Sequence, residues 1–299
     1  MSNLILDLTR LLPGPLACRM LGELGFEVLR LLPPSGDMAD VMMPELSAWL
    51  NAAKRTETID LKTPEGCQRL KGLASEALAL VETNRPGVME KLGVGPEILR
   101  QINPNLTYVR LAGFRNPEQR AEPGHDLTYL AATGLLSRFE PAWRSVQLAD
   151  ISGSFWAVIA TLQGLRQGGG FFEVYLEEAA FPFSYPPLTF LDGSILCYRV
   201  YPAREGQVAL GALEPHLWAR FCKAVNHPEW QTEGFSRAEP TNATFLAISE
   251  FFLEKTAQEW ETVARQDGYP LRAVQTFRPA THLVPWNQQN EELRMKNEE

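Results

Sequence analysis

The chain lacks several features that would assign it to a protein class directly. It has no charged and then apolar leader and no run approaching about 18 apolar residues, so we expect neither secretion nor a membrane span. Its four cysteines lie far apart without a C-x-x-C pair, and no His and Cys cluster has zinc-ligand spacing, so we expect free thiols and no metal. No G-x-G-x-x-G follows the first apolar segment, which argues against a dinucleotide bound in the usual way. The C-terminus carries no peroxisomal or retention signal, and a cytoplasmic protein is the expectation.

What is present describes an ordinary globular protein. The 299 residues are 45% apolar and 21% charged, enough to bury a large core in one big domain or two modest ones. The formal net charge of −8 argues against a general nucleic-acid binder but allows a local basic pocket for a phosphorylated ligand.

Strands and helices alternate through the first 112 residues. Apolar runs at Leu4–Leu8 and Phe26–Leu32 flank a helical pattern, and further strands are predicted at 57–61, 77–81 and 106–111. This order is typical of parallel strands covered by helices, and it predicts an α/β, Rossmann-like layer.

The later chain predicts helices at 126–136 and 151–166, and then a strand pair at 194–200 and 207–211. Further helices are predicted at 215–225, 243–253 and from a capping box at Thr256–Glu259, whereas 171–191 has no clear pattern. We therefore predict a large α/β domain at 1–180, a smaller α+β domain at 181–275 and a C-terminal tail at 276–299.

Two titratable residues stand at predicted helix starts, His125 in Gly124-His125-Asp126 and Asp150 in Leu148-Ala149-Asp150. Histidine exchanges protons near neutral pH, and a helix start favours its neutral, basic form. The same position favours the carboxylate of Asp150, although burial beside an apolar substrate would act in the opposite direction. Two such groups on opposite faces of one carbon can remove and return a proton. The simpler alternative is that Asp150 only caps its helix.

Other charged residues have two possible roles. Glu214 precedes Pro215 at a helix start, where it could orient His125 or simply complement the helix dipole. Arg30, Lys54 with Arg55, and Arg85 lie near strand ends or turns, where cations could meet phosphates. Lys54 and Arg55 could equally form a solvated pair.

Taken together, a series of segments resembles the family III CoA-transferases (CaiB/BaiF-type), and within them the α-methylacyl-CoA racemase branch. The segments, in order, are 6–15, 21–25, 54–55, 60–66, 84–88, 92–93, 103–104, 124–126, 148–150 and 211–215. The resemblance covers most of the chain, and it depends on the order and spacing of the segments more than on any one of them.

This resemblance implies an acyl-CoA thioester as substrate, with no cofactor beyond its coenzyme A, and an interlocked homodimer, with fatty acid metabolism as the expected setting. It implies that His125 and Asp150 are the acid/base pair and that Glu214 is the acid associated with His125. It further implies CoA contacts from Arg30, Lys54, Arg55, Asn84 and Arg85, and an acyl-thioester site lined by Gly124, Asp126 and Tyr129.

Three functions are weighed. The leading one is a racemase or epimerase of 2-methyl-branched or 2-aryl acyl-CoA thioesters, because transferase members often have Gly-Tyr-Asp where this chain has Gly124-His125-Asp126. The second is a CoA-transferase with Asp150 as nucleophile. The third is a CoA-binding protein without catalysis, suggested by apparent deletions at 134–150, 183–191 and the C-terminus, and by Ala53 and Arg115 at positions where the family tends to have Gly.

Overall fold

A computed structural model describes residues 3–120, 122–138, 146–184 and 191–285. The chain forms two units, Met1–Tyr185 with Ala280–Glu299, and Pro186–Pro279. The sequence predicts the boundary between the large and small domains at 180/181, and the boundary between the small domain and the tail at 275/276. Ala280 and Thr281 accept hydrogen bonds from Trp49 and Arg19, so this part of the predicted tail packs within the first unit.

The first unit is built on a six-stranded, all-parallel sheet. Its strands are β1 (Leu4–Leu8), β2 (Glu27–Leu32), β3 (Arg55–Thr58), β4 (Ala79–Glu82), β5 (Thr107–Ala112) and β6 (Gly170–Tyr175). They are arranged in the order β3-β2-β1-β4-β5-β6. The order reverses between β1 and β4, and in open α/β sheets ligands bind outside the carboxyl ends of the strands at such a reversal.

Helices cover both faces of this sheet. They are α1 (Pro13–Glu23), α2 (Met38–Met42), α3 (Pro44–Leu50), α4 (Pro64–Glu76), α5 (Val88–Lys91), α6 (Pro96–Ile102), α7 (Asp126–Ala132), α8 (Leu148–Gln167) and α9 (Leu176–Ala179). The core between α1, α8 and the sheet includes Leu21, Ala149 and Ala157, and the core on the α4 and α6 face includes Leu70 and Leu99. Both faces of the central strands are therefore buried, which explains their predominantly apolar sequences, whereas the edge strand β3 is polar and mostly exposed.

Helix α8 is the longest of the described helices. Its length and mean hydropathy would allow it to cross a membrane, but 44% of its most apolar window is buried inside the protein. It packs against α1, β5 and β6, and it ends at Gly168 in the left-handed conformation with φ +81°. These contacts are those of a core helix.

The second unit has a three-stranded antiparallel sheet of β7 (Tyr198–Pro202), β8 (Gln207–Gly211) and β9 (Leu271–Ala273). Its helices are α10 (Pro215–Ala224), α11 (Ala243–Phe252) and α12 (Ala257–Asp267). The predicted capping box is confirmed, because Thr256 and Glu259 each bond the backbone N–H of the other. An aromatic cluster that includes Phe221, Phe252 and Trp260 fills the core.

The predicted fold class, an α/β large part with a smaller α+β part, is confirmed. Strands β6 and β9 were not predicted. The third strand was expected at 57–61 but lies at Arg55–Thr58, because Asp60 and Thr63 already form the turn that begins α4.

Candidate active site

His125 occupies the start of α7. Its backbone is extended, with φ −138°, its amide donates to Thr128 Oγ1 at 3.1 Å, and its carbonyl accepts from the same hydroxyl at 2.8 Å. The residue is exposed. The backbone around His125 is therefore fixed by Thr128, while the imidazole faces solvent.

Asp126 joins the start of α7 to the start of α8. Its Oδ1 accepts from the backbone N–H of Ala149 at 2.7 Å and of Asp150 at 3.1 Å. Asp126 is only 4% exposed, and its Oδ2 is buried without a hydrogen-bond partner among the described residues. The structure buries Asp126 as a cap of α8, and this brings the segment of His125 next to Asp150. Its place in the lining of the acyl site stays a prediction.

Asp150 lies in the first turn of α8 and is partly buried. Burial, and then the negative charge of Asp126, raise the pKa of Asp150 to about 7. Burial also raises the pKa of Asp126, but the two backbone N–H groups oppose this by stabilising its carboxylate. Of the two opposing effects expected at Asp150, burial is the stronger.

Tyr129 fills the space between the loop after β5 and the loop before α7. A Cβ at Gly124 would lie 2.5 Å from its ring, and a Cβ at Gly113 would lie 2.9 Å from its hydroxyl. Phe114 packs edge-on against the ring with centroids 5.2 Å apart. Burial and the carboxylates of Asp150, Asp126 and Glu177 raise the pKa of Tyr129 to about 12, so its hydroxyl stays protonated beside Asp150.

The reversal point of the sheet is polar. After β1, the Arg10 amide donates to Thr83 Oγ1 at 3.2 Å, and the Arg10 guanidinium donates to Asn84 Oδ1 at 3.2 Å. Asn84 N in turn donates to Glu82, the last residue of β4, at 2.5 Å. Arg85 follows, exposed, and its side chain makes no hydrogen bond or ion pair with the described residues. These residues therefore place two cations and an amide at the crevice between β1 and β4.

The Glu82 carboxylate is itself fixed by hydrogen bonds from the neighbouring strand β5. Arg110 Nε donates to its Oε1 at 2.5 Å and Tyr108 OH donates to the same atom at 3.3 Å, all inside the sheet. The Arg110 guanidinium contacts Glu90 at 2.8 Å as well, so this network fixes the loop that carries Asn84.

Two of the cations expected to contact CoA are buried in ion pairs. The Arg30 guanidinium donates to Asp37 at 3.1 Å and Asp40 at 3.2 Å, and Asp37 Oδ2 also accepts from Leu11 N at 3.2 Å. Leu11 has the left-handed φ of +66°, so Arg30 acts on the loop after β1 through Asp37.

Lys54 is likewise enclosed by the protein. Its side chain is 2% exposed, and Nζ contacts Asp7 at 2.8 Å, Pro15 O at 2.9 Å and Asn51 Oδ1 at 2.9 Å. Arg55 is exposed and pairs with Glu27 at 3.3 Å on the surface. Neither the Arg30 nor the Lys54 side chain is presented to a phosphate in this structure, whereas Arg55 and Arg85 are accessible.

Glu214 belongs to the second unit, where it precedes α10. It is exposed, and its carbonyl accepts from the backbone amides of Leu217 and Trp218. Its association with His125 stays a prediction. In the described ranges, no three His, Cys, Asp or Glu side chains are grouped closely enough to hold a metal ion.

The chain matches the sequence model of CoA-transferase family III over residues 3–170 and 186–299. It belongs to CoA-transferase family III. Both units are therefore part of the family fold, and the resemblance seen in the separate motifs extends over nearly the whole chain.

Curated relatives within family III carry two kinds of name. Human alpha-methylacyl-CoA racemase is 29% identical, with 93% of this chain and 78% of the relative aligned. A probable fatty acyl-CoA transferase of Mycobacterium tuberculosis is 28% identical over 88% of this chain and 79% of its own length. Human succinyl-CoA:glutarate CoA-transferase is 27% identical over 92% and 71%. The family is thus enzymatic, and racemase and transferase members are about equally similar.

Solved structures agree with the fold. A crystal structure of the M. tuberculosis protein superposes with a TM-score of 0.77 at 26% identity, covering 96% of this chain and 85% of the other. A CaiB/BaiF family protein from Brucella suis gives a TM-score of 0.73 at 21% identity, covering 91% and 83%, and shows the shared fold alone.

Three carboxylates that shape this family III site were not singled out for these roles from the sequence. Asp37 and Asp126 each accept backbone N–H groups at a helix start, and Glu82 supports Asn84. An Asp directly before a helical pattern would have indicated Asp37. A lone acid at the end of an apolar strand would have indicated Glu82.

Proposed function

We propose that this protein is a racemase or epimerase of 2-methyl-branched or 2-aryl acyl-CoA thioesters, with coenzyme A as part of the substrate. The observation that carries the proposal is the carboxyl pair at the start of α8. Asp126 fixes the turn of Asp150 next to the segment of His125, and the pKa of Asp150 is raised to about 7. A general acid or base acts best when its pKa is near the working pH.

The proposed reaction is a proton transfer to and from one carbon. A neutral His125 imidazole takes the α-proton and becomes imidazolium, and the electron pair delocalises into the thioester as an enolate. A protonated Asp150 then delivers its proton to the opposite face of the same carbon and becomes a carboxylate. In the reverse direction the roles exchange. Since Asp150 is partly protonated near pH 7, it can act as the acid in one direction and as the base in the other.

The nucleotide part of CoA is proposed to lie at the crevice between β1 and β4. Arg10 and Asn84 are held there by hydrogen bonds, the exposed Arg85 follows directly, and a guanidinium pairs well with phosphate oxygens. The buried positions of Arg30 and Lys54 support a role in shaping the neighbouring loops; a contact between either of them and CoA stays a prediction.

A CoA-transferase is the second candidate. No described residue donates a hydrogen bond to the Asp150 carboxyl, so it is free to attack a thioester, and two of the relatives are named transferases. The raised pKa favours proton transfer instead, because a nucleophile must be ionised and burial disfavours the carboxylate. A CoA-binding protein without catalysis is the third.

The test is proton NMR of (R)- and (S)-2-methylacyl-CoA incubated with the protein in deuterium oxide. A racemase exchanges the α-proton of both enantiomers for deuterium. His125→Ala should impair exchange of one enantiomer more than the other, and His282→Ala, at another exposed histidine of the same unit, should impair neither. A transferase would instead leave both α-protons in place. With a second acid it would form an aspartyl anhydride that hydroxylamine traps.

We further propose a homodimer, formed through the outer face of α8. Phe155, Trp156, Ile159 and Leu162 follow one another at helical spacing and are between 41% and 53% exposed. They continue into a groove of about 860 Å³ against β6, also lined by Phe171 and Phe181. Sedimentation should show a dimer for wild-type protein and a monomer for Ile159→Glu. A cytoplasmic location stays a prediction.

A further inference from the structure

Asp126 occupies an unusual position for a carboxylate. It is buried, it lies one residue after His125, and its single hydrogen-bonded oxygen contacts the amide of the residue proposed to be the opposing acid. The other oxygen, Oδ2, has no partner among the described residues. A buried carboxylate with an unpaired oxygen is costly to maintain, and a neutral Asn or Ser would cap α8 as well. The negative charge therefore invites a functional explanation.

We propose that Asp126 is a positioning residue that fixes the first turn of α8 through two backbone amides and, by its charge, keeps Asp150 available as a proton donor at neutral pH. This rests on the proposed racemase function, which it deepens by assigning a residue that acts on the reaction through Asp150.

The charges around α8 support this assignment. Titratable groups on the elements that pack against α8, and on the loop residues that contact those elements, are Cys18, Arg19, Glu23, Glu82, Tyr108, Arg110, Arg115, Arg120, His125, Asp126, Tyr129, Glu173, Tyr175, Glu177 and Glu178. The arginines among them form ion pairs with other acids: Arg19 with Glu23, Arg110 with Glu82, Arg115 with Glu178, and Arg120 with Glu173. Asp126 is the group whose charge acts most directly on Asp150, and no described cation offsets it there.

The hydrogen bonds also decide which of the two carboxyls keeps the proton. The two backbone N–H groups at 2.7 and 3.1 Å stabilise the ionised form of Asp126, while Asp150 receives no comparable donor from the described residues. Of the two carboxyls, Asp150 is therefore the one that keeps its proton to higher pH. Two neighbouring carboxyl groups do not both ionise easily, because the charge on the first raises the pKa of the second.

The decisive variant is Asp126→Asn, whose amide oxygen can still cap α8 but carries no charge. Carbon-13 NMR of Asp-labelled protein, with the Asp150 signal assigned through Asp150→Asn, measures the titration directly. We expect the Asp150 midpoint to fall by about one pH unit in Asp126→Asn. An unchanged midpoint, or a wild-type midpoint near the ordinary value of about 4, would overturn the proposal.

Two further measurements keep the test independent of folding and of the racemase function. Asp126→Ser keeps a capping oxygen of smaller size, and its Asp150 midpoint should fall in the same way if Asn at this buried position fails to fold. Where α-proton exchange is measurable, its pH profile should shift downward with the midpoint. If wild-type protein exchanges no α-proton at all, the racemase proposal fails, while the NMR titration still decides the role of Asp126.

Discussion

Replacing Asp150 by Asn should abolish proton transfer and at the same time stabilise the protein at neutral pH. Burial and the charge of Asp126 raise the pKa of Asp150 to about 7 in the folded protein, against about 3.9 in an unfolded chain. The folded state therefore resists ionisation of this group. The Asp150 carboxyl therefore lowers the free energy of unfolding of the wild-type protein. This loss is absent below about pH 4, grows as the pH rises, and is complete above about pH 7, where Asp150 is ionised in both the folded and the unfolded state.

The size of this effect follows from the shift. One pKa unit corresponds to about 1.4 kcal/mol, so a shift of about three units sets an upper bound of about 4 kcal/mol. Water reaches the partly exposed carboxyl and screens its charge, and we expect a net gain of about 2 kcal/mol for Asp150→Asn. Asn is neutral at every pH, so the gain should be present at about pH 8 and absent at about pH 4.

Hydrogen exchange of α8 peptides as a function of denaturant measures this stability in the first unit separately from the second. Glu76→Gln, an exposed acid of α4, is the matched control and should change little at either pH. Equal stability of Asp150→Asn and wild type at about pH 8 would refute the reasoning, because the carboxyl would then not be desolvated as the structure indicates.

Three further predictions concern the surrounding loops. Ala53 has a left-handed φ of +64°. Ala53→Gly should therefore stabilise the chain by about 0.5 to 1 kcal/mol in thermal denaturation, and a loss of stability would contradict the strained geometry. Gly124→Ala places a Cβ 2.5 Å from the Tyr129 ring. It should lower the free energy of unfolding by about 1 to 3 kcal/mol and slow α-proton exchange. Unchanged stability and an unchanged exchange rate would show that the ring is free to move. Arg85→Ala should raise KM for acyl-CoA about tenfold or more with kcat nearly unchanged, unlike the surface control Arg69→Ala; a fall in kcat alone would exclude the phosphate contact.

Part of the fold could be read from the chain because the signals are local. Predominantly apolar runs mark β1 and β2 as buried strands, and Thr63 with Pro64 marks the start of α4, where the Thr63 hydroxyl accepts from Gly66 N at 3.1 Å. The start of β8 and the capping box of α12 were predicted for the same reason.

Strand β6 could not be predicted in this way. Its sequence, with Phe171 and Phe172 after a glycine run, has neither a clean alternation nor a turn after it. It becomes a strand because it pairs in parallel with β5, with Tyr108 opposite Phe171. An edge strand of this kind depends on a partner about sixty residues away in the chain, and local propensity does not contain that information.

The sequence by itself determined the family, the alternating order of strands and helices, and the two helix starts that carry His125 and Asp150. Only the tertiary structure decided which charged side chains are accessible to a ligand and which are buried in ion pairs. Arg30 and Lys54 are indistinguishable from Arg85 in a list of cations, yet they are enclosed by carboxylates from other segments. Asp126 likewise acquires its role from amides 23 and 24 residues away. Propensity and capping act between neighbours in the chain, whereas burial and ion pairing depend on neighbours in space.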